Sequence, residues 1–141
     1  MIFKLFGAVI LVLCGGLYAK HSQNRVKAEL EEAETLIGLF CYIKNEIEEF
    51  DTPLDAVLEA KGIKGGMGRL LDSCPDSFFE AVKEAARLGR GSKSEELRIC
   101  VRTIERLEEE RRALAKKAEE TVVLSRVKGY GTAAALIILF I

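Results

Sequence analysis

Along the middle of the chain apolar residues recur at helical spacing, without the strict alternation that a half-buried strand shows. Val26, Leu30, Ala33, Ile37, Phe40 and Ile47 step by four and three, with Lys44 in the one missing place. Leu97, Cys100, Ile104, Leu107, Leu114 and Ala118 repeat the pattern, interrupted at Arg111. A repeat near 3.5 residues keeps one stripe facing a partner helix over many turns, so the two seams predict long antiparallel helices. The first is expected over His21–Phe50 and the last over Glu95–Val127, each about 45–50 Å long at 1.5 Å per residue. Their charges favour pairing. Glu29 to Asp51 carries eight acids against Lys44 alone, and Arg98 to Lys128 carries nine cations.

The connection between the seams is punctuated by turn signals. Thr52-Pro53-Leu54-Asp55 reads as a helix start, with Pro53 at the first helical position and Asp51 or Thr52 as cap. That helix should reach Lys61 and stop at Gly62. Gly65, Gly66 and Gly68 suggest a flexible bend. After the Cys74-Pro75 break, Ser77 and Glu80 form a capping-box pattern opening a helix to Leu88. Gly89-Arg90-Gly91 should end it, and Ser92 with Glu95 should cap the last long helix. Phe78, Phe79, Val82, Ala85 and Leu88 offer an apolar face to Leu54, Val57 and Leu58. Gly62-Ile63-Lys64-Gly65-Gly66-Met67-Gly68 superficially resembles a phosphate cradle, but it lacks the GK[ST] sequence and the preceding strand that a P-loop requires.

The ends differ in kind from the middle. Ile2 to Ala19 is an 18-residue apolar run whose one charge, Lys4, can snorkel outward. A cleaved signal peptide would look similar. Leu13 before Cys14 does not suit lipoprotein processing, and no A-x-A-like site precedes a cut after Ala19, so the segment is expected to be retained. Val122 to Ile141 is also apolar, apart from Arg126 and Lys128. Its charge-free part from Gly129 has 13 residues, about 20 Å as a helix against about 30 Å of hydrocarbon, so it spans if the cations snorkel and a thinned bilayer or a packed neighbour closes the gap. A C-terminal segment buried in a soluble core is the alternative. Gly131 and Ala133 to Ala135 are small enough for close helix contact. Lys20, Arg25 and Lys27 follow the first segment, and Arg126 and Lys128 precede the second, so the positive-inside rule puts the middle in the cytoplasm. The expected organisation is a transmembrane helix over 1–20, a cytoplasmic helical bundle over 21–127 and a transmembrane segment over 128–141.

Composition narrows the chemistry. Of 141 residues 49% are hydrophobic and 30% charged, with a net charge of -1, which gives no basic surplus for phosphate backbones. A mean hydropathy of +0.12 in so charged a chain requires its apolar content to be concentrated, and the two ends hold it. His21 is the only histidine, which leaves no His-based zinc site and little room for triad chemistry. Cys14, Cys41, Cys74 and Cys100 lie at least 26 residues apart, so they are read as reduced apolar fillers. The acid runs Glu29–Glu34 and Glu46–Asp51 lack a calcium-loop pattern. They read as a solvated face or as docking surface for a basic partner, with Glu46, Glu48, Glu49 and Asp51 the candidates. No cofactor is expected.

In this layout the chain resembles the stage III sporulation protein AB family of endospore-forming bacteria. The likeness rests on the N-terminal span, on Leu36–Leu58 (LIGLFCYIKNEIEEFDTPLDAVL) with its corner Thr52-Pro53-Leu54, on the Leu88-Gly89 break, and on the tail from Ala118 with a cation, glycines and an aliphatic end (Lys128-Gly129-Tyr130-Gly131 to Ile141). It departs from the family pattern at Glu49, Phe50 and Asp51 before the corner, and at Lys93 and Leu97 after the break. The resemblance implies a fold like the cytoplasmic domain of the type II secretion F protein. It also implies a part in the secretion-like channel between mother cell and forespore, beside a cytoplasmic ATPase and other stage III membrane subunits.

The expected fold is therefore all-α: a membrane-anchored antiparallel bundle of two long helices and short connecting helices, with a hydrophobic segment at each end. The expected function is a non-enzymatic platform in the cell membrane, on the mother-cell side by resemblance, with no nucleic acid or small-molecule substrate. A membrane sensor or signalling adaptor acting through the hairpin is the alternative, although both outer tails would be only a few residues long. A membrane-bound thiol enzyme would have to use Cys14 and His21, in or beside the bilayer.

Overall fold

The computed structural model describes the backbone of residues 2–140 and the side-chain surroundings of residues 7, 9–10, 12–132, 134–136 and 138. Among the described residues all regular structure is helical. Helix α1 runs Ile2–Asn45 and ends in a widened π turn, Glu46–Phe50. Three short helices follow, α2 (Leu54–Ala60), α3 (Gly66–Asp72) and α4 (Asp76–Val82). A 3-10 turn at Lys83–Arg87 then leads to α5, Lys93–Phe140. The chain divides into two compact units, Glu31–Arg112 and Met1–Leu30 with Ala113–Ile141.

In the unit Glu31–Arg112 the long helices lie side by side, and α2 to α4 pack on one side of them. Ala33, Phe40, Ile43 and Ile47 of α1 are buried with Ile99, Cys100, Thr103 and Leu107 of α5. Val57, Leu58, Met67, Phe78, Ala81, Val82, Ala85 and Leu88 complete the core from the short elements. Their mutual packing places α2 against α3, and the 3-10 turn against α3 and α4. Ion pairs tie the layers together at the rim: Arg111 to Glu34 at 3.4 Å, Arg106 to Glu84 at 3.1 Å and Lys93 to Asp51 at 3.4 Å. Arg111–Glu34 and Lys93–Asp51 are solvent-exposed and Arg106–Glu84 is half-buried, and each exposed pair contributes little. Lys61 of the turn after α2 sits 4.2 Å from the centre of the Tyr42 ring.

The buried stripes are broader than the predicted seams. Ile43, not Lys44, fills the gap in α1, and Ile99 and Thr103 are buried where Leu97 and Ile104 are only half-buried. The reason is that α5 has two partners, α1 on one side and the short helices on the other. Thr103 is 1% exposed, and its hydroxyl has no hydrogen-bond partner. A buried hydroxyl without a partner carries its desolvation cost uncompensated. Thr103→Val is therefore expected to stabilise this unit by about 1–2 kcal/mol, measured as a higher thermal midpoint by circular dichroism.

The helix ends depart from the capping predictions in a consistent way. Pro53 and Pro75 stand at the N-cap, with ψ of 139° and 142°, and neither helix start has a side-chain cap. Each proline carbonyl accepts the first turn's amide, from Val57 at 3.2 Å and Phe78 at 2.9 Å. Proline's fixed φ suits that role, and its missing N–H costs nothing there. Ser77 consequently lies inside α4, and Glu80 pairs with Lys83. Ser92 accepts the Glu96 amide through its carbonyl, while its hydroxyl meets that of Ser94. The glycine run expected as a bend instead opens α3, with Gly65 at φ 98° making the reversal just before it.

In the unit Met1–Leu30 with Ala113–Ile141, the two helical segments touch through glycines. A Cβ on Gly15 would stand 3.7 Å from Gly129 Cα, an ordinary contact that leaves no room for a larger side chain. Close backbone approach of this kind is what small residues permit. Gly131, expected in that role, is exposed with open space beside it, and Ala133 lies outside the described side chains. Neither helix breaks at the expected 20/21 and 127/128 boundaries. Among the described residues no helix is long and apolar enough to cross a membrane. The side chains of the runs Ile2–Ala19 and Gly129–Ile141 are only partly described.

Candidate docking surface at the helix corner

Two motifs about thirty-five residues apart in sequence meet at one corner of the unit Glu31–Arg112. At the end of the π turn Asp51 takes up a left-handed conformation, φ 52°, and its amide donates to the Glu46 carbonyl. Pro53 disfavours a helical Thr52, so the chain must leave α1 here, and a left-handed residue closes the helix. Aspartate tolerates that conformation better than most residues. The Thr52 hydroxyl donates to Glu46 Oε2 at 3.3 Å, and Lys93 reaches Asp51 Oδ1.

The other wall is the Leu88-Gly89 break. Leu88 is buried and extended, and Gly89 follows at φ 84°. The Gly89 amide donates to Glu96 Oε1 at 2.9 Å. A Cβ on Gly89 would come within 3.3 Å of Leu54 Cδ2. Both the backbone angle and the close approach call for glycine at this position. Between the walls lies an open cleft of about 520 Å³ with Ile47, Leu54 and Met67 toward its floor and Asp55, Arg90 and Lys93 among its polar lining.

The structure sorts the predicted docking acids. Glu46 and Asp51 are engaged by Thr52 and Lys93. Glu48 and Glu49 are exposed and make no ion pair among the described residues. Between them and Asp51 stands Phe50, 67% exposed, at the expected end of the first long helix. Aromatic side chains, phenylalanine included, are enriched at protein interfaces. Of the predicted corner, Thr52 holds Glu46, Pro53 caps α2 and Leu54 packs on Gly89. The cations Lys20, Arg25, Lys27, Arg126 and Lys128 belong to the other unit, where all are exposed and Arg25 pairs with Glu29.

The cysteines are not uniform fillers. All four are free thiols; Cys100 is buried, Cys41 and Cys74 are half-buried and Cys14 is exposed. Burial, aided by Glu96 and opposed by Lys44, pushes the Cys100 thiol up to about 11, and burial with Glu32 raises Cys74. A thiol whose folded value lies above its unfolded one favours the folded state fully only below the unfolded value, near 9. Stability should therefore fall between about pH 9 and 11 in proportion to Cys100 ionisation in the unfolded chain, and Cys100→Ala should flatten that fall in denaturant titrations at the two pH values. Among the described residues no cluster of three metal-ligating side chains occurs.

Comparison with known families, curated proteins and solved structures yields no match for this chain.

Proposed function

We propose that this protein is a non-enzymatic membrane platform in which Met1–Leu30 and Ala113–Ile141 root the chain in the bilayer and the unit Glu31–Arg112 presents the helix corner to a cytoplasmic partner. The observation that carries the reading is where apolar side chains face outward. Of the fourteen large hydrophobics that are exposed among the described residues, eleven lie in 9–18 and 123–138. Water-soluble surfaces do not gather apolar side chains at that density; an interface with lipid or protein does. Tyr18 and Tyr130 are exposed beside Lys20 and Lys128, the residue types that favour the boundary between hydrocarbon and headgroups. The hydroxyls of Ser125 and Thr132 donate to their own helix, at the Val122 and Lys128 carbonyls, a local pairing compatible with an apolar medium.

The resemblance to the stage III sporulation AB family extends this reading to a sporulation channel in the mother-cell membrane, with an assembly ATPase as the cytoplasmic partner and other stage III membrane subunits beside it. Glu48, Glu49 and Phe50 supply the free acids and the apolar anchor that a basic ATPase surface would engage. Glu48→Lys/Glu49→Lys is expected to lower ATPase capture in pull-downs by about tenfold or more, since reversed charges both lose attraction and add repulsion. Helicity should stay unchanged because neither side chain contributes to the core. Capture equal to that of the unaltered protein would remove the corner from this role.

A further inference from the structure

The pair of long helices in the unit Glu31–Arg112 has two sides, and the contacts account for only one. Tyr42 meets Lys61, Glu96 meets Gly89 and Arg106 meets Glu84, all toward the short elements. A different side carries a shallow groove of about 300 Å³ between α1 and α5, lined by Cys41, Lys44 and Asn45 from one and Val101, Ile104 and Glu105 from the other. Val101 is 38% exposed, and Cys41 and Ile104 are half-buried, so the floor is apolar and only partly covered. Its two rims bear opposite charges. Lys44 is half-buried on the α1 rim and has no ion-pair partner among the described residues; Glu105 on the α5 rim has none either.

We propose that this groove is the face on which a second copy of the chain packs, forming a two-fold dimer with an intermolecular four-helix core. The charge arrangement selects that occupant. In an isologous interface each patch meets itself after rotation, so residue i contacts j and j contacts i. With the axis running along the groove, α1 of each copy lies against α5 of the other, and the cation rim of one copy meets the anion rim of its twin on both sides. Lys44 then gains the carboxylate of Glu105 from the second copy, twice per dimer. Cys41 of each copy closes on Val101 and Ile104 of the other across the axis, forming the apolar centre. A partner with a uniformly basic or acidic surface would match one rim and be repelled by the other. The groove is separate from the corner surface, and the dimer does not depend on the proposed ATPase contact.

The test is a charge-exchange cycle on the full-length protein in detergent, read as mass by sedimentation equilibrium and as site proximity by cross-linking. For cross-linking, Cys14 and Cys74 are replaced by serine, so that a short bis-maleimide reports on Cys41 while buried Cys100 stays protonated. The unaltered groove should give a dimer and a Cys41–Cys41 adduct. Lys44→Glu and Glu105→Lys, each alone, should weaken dimerisation by about tenfold or more and remove most of the adduct. The double variant, with both charges exchanged, should restore both readings. Circular dichroism of each variant identifies a folded chain, and the rescue distinguishes a lost interface from a damaged one. A monomer at all concentrations, a dimer indifferent to both single substitutions, or a double variant no better than the singles would overturn the proposal.

Discussion

Phe78→Ala should destabilise the unit Glu31–Arg112 by about 3–5 kcal/mol, the usual cost of emptying a fully buried aromatic site. Phe78 is 0% exposed and is the largest buried side chain on α4. The other side chains that the short elements bury, Val57, Leu58, Ala81, Val82 and Ala85, are smaller than the phenyl ring and sit on short helices and a 3-10 turn, so they refill the space poorly. A domain's whole stability is about 5–15 kcal/mol, so the loss is a large share of it. The short helices should come loose before the long ones. Hydrogen exchange on the full-length protein should then show protection lost across α2 to α4, with α5 residues 93–112 affected less. Protection unchanged over α2 to α4 would mean that Phe78 does not anchor the layer.

Gly89→Val is the second large effect, for a different reason. A β-branched residue at φ 84° adopts a backbone that L side chains rarely tolerate, at about 1–3 kcal/mol. Its Cβ also meets Leu54 Cδ2 at 3.3 Å, so Leu54 must yield or the corner must open. Opening would break the Gly89–Glu96 hydrogen bond and spread the cleft. The expected outcome is a loss of about 2–3 kcal/mol and rapid proteolysis at Arg87 and Arg90. Gly89→Ala should cost less, because it keeps most of the strain but little of the bulk. Equal stability of Gly89→Val and the unaltered chain would show that the break does not need its left-handed residue.

Sequence periodicity identified the two long helices and the helical class because each is governed by local spacing. The buried stripe lies one position from Lys44 and Ile104, at Ile43 and Thr103, since a single-partner seam does not describe a helix packed on two sides. The second stripe of α5 passes through Glu96, Ile99, Thr103 and Arg106, and three polar residues hide it from any count of apolar positions. Prolines gave the starts of α2 and α4 to within a residue or two, but their role at the N-cap displaced Ser77 from its predicted cap. The meeting of Leu54 with Gly89 is a long-range contact that neither motif encodes by itself. Phe50 lies beyond the seam that ends at Ile47, so periodicity says nothing of its exposure, and it stands outward at the last position of the π turn.

The account stands on the claim that the chain is rooted in a membrane with the unit Glu31–Arg112 on the cytoplasmic side. Its most direct test is thiol labelling in intact cells, using a membrane-impermeant maleimide on a chain whose Cys14, Cys41 and Cys74 are serine. Lys64→Cys places an exposed thiol between α2 and α3. The account predicts that it stays unlabelled until the cells are permeabilised, and that the protein sediments with membranes and is released by detergent. Labelling of that thiol from outside intact cells would contradict the account.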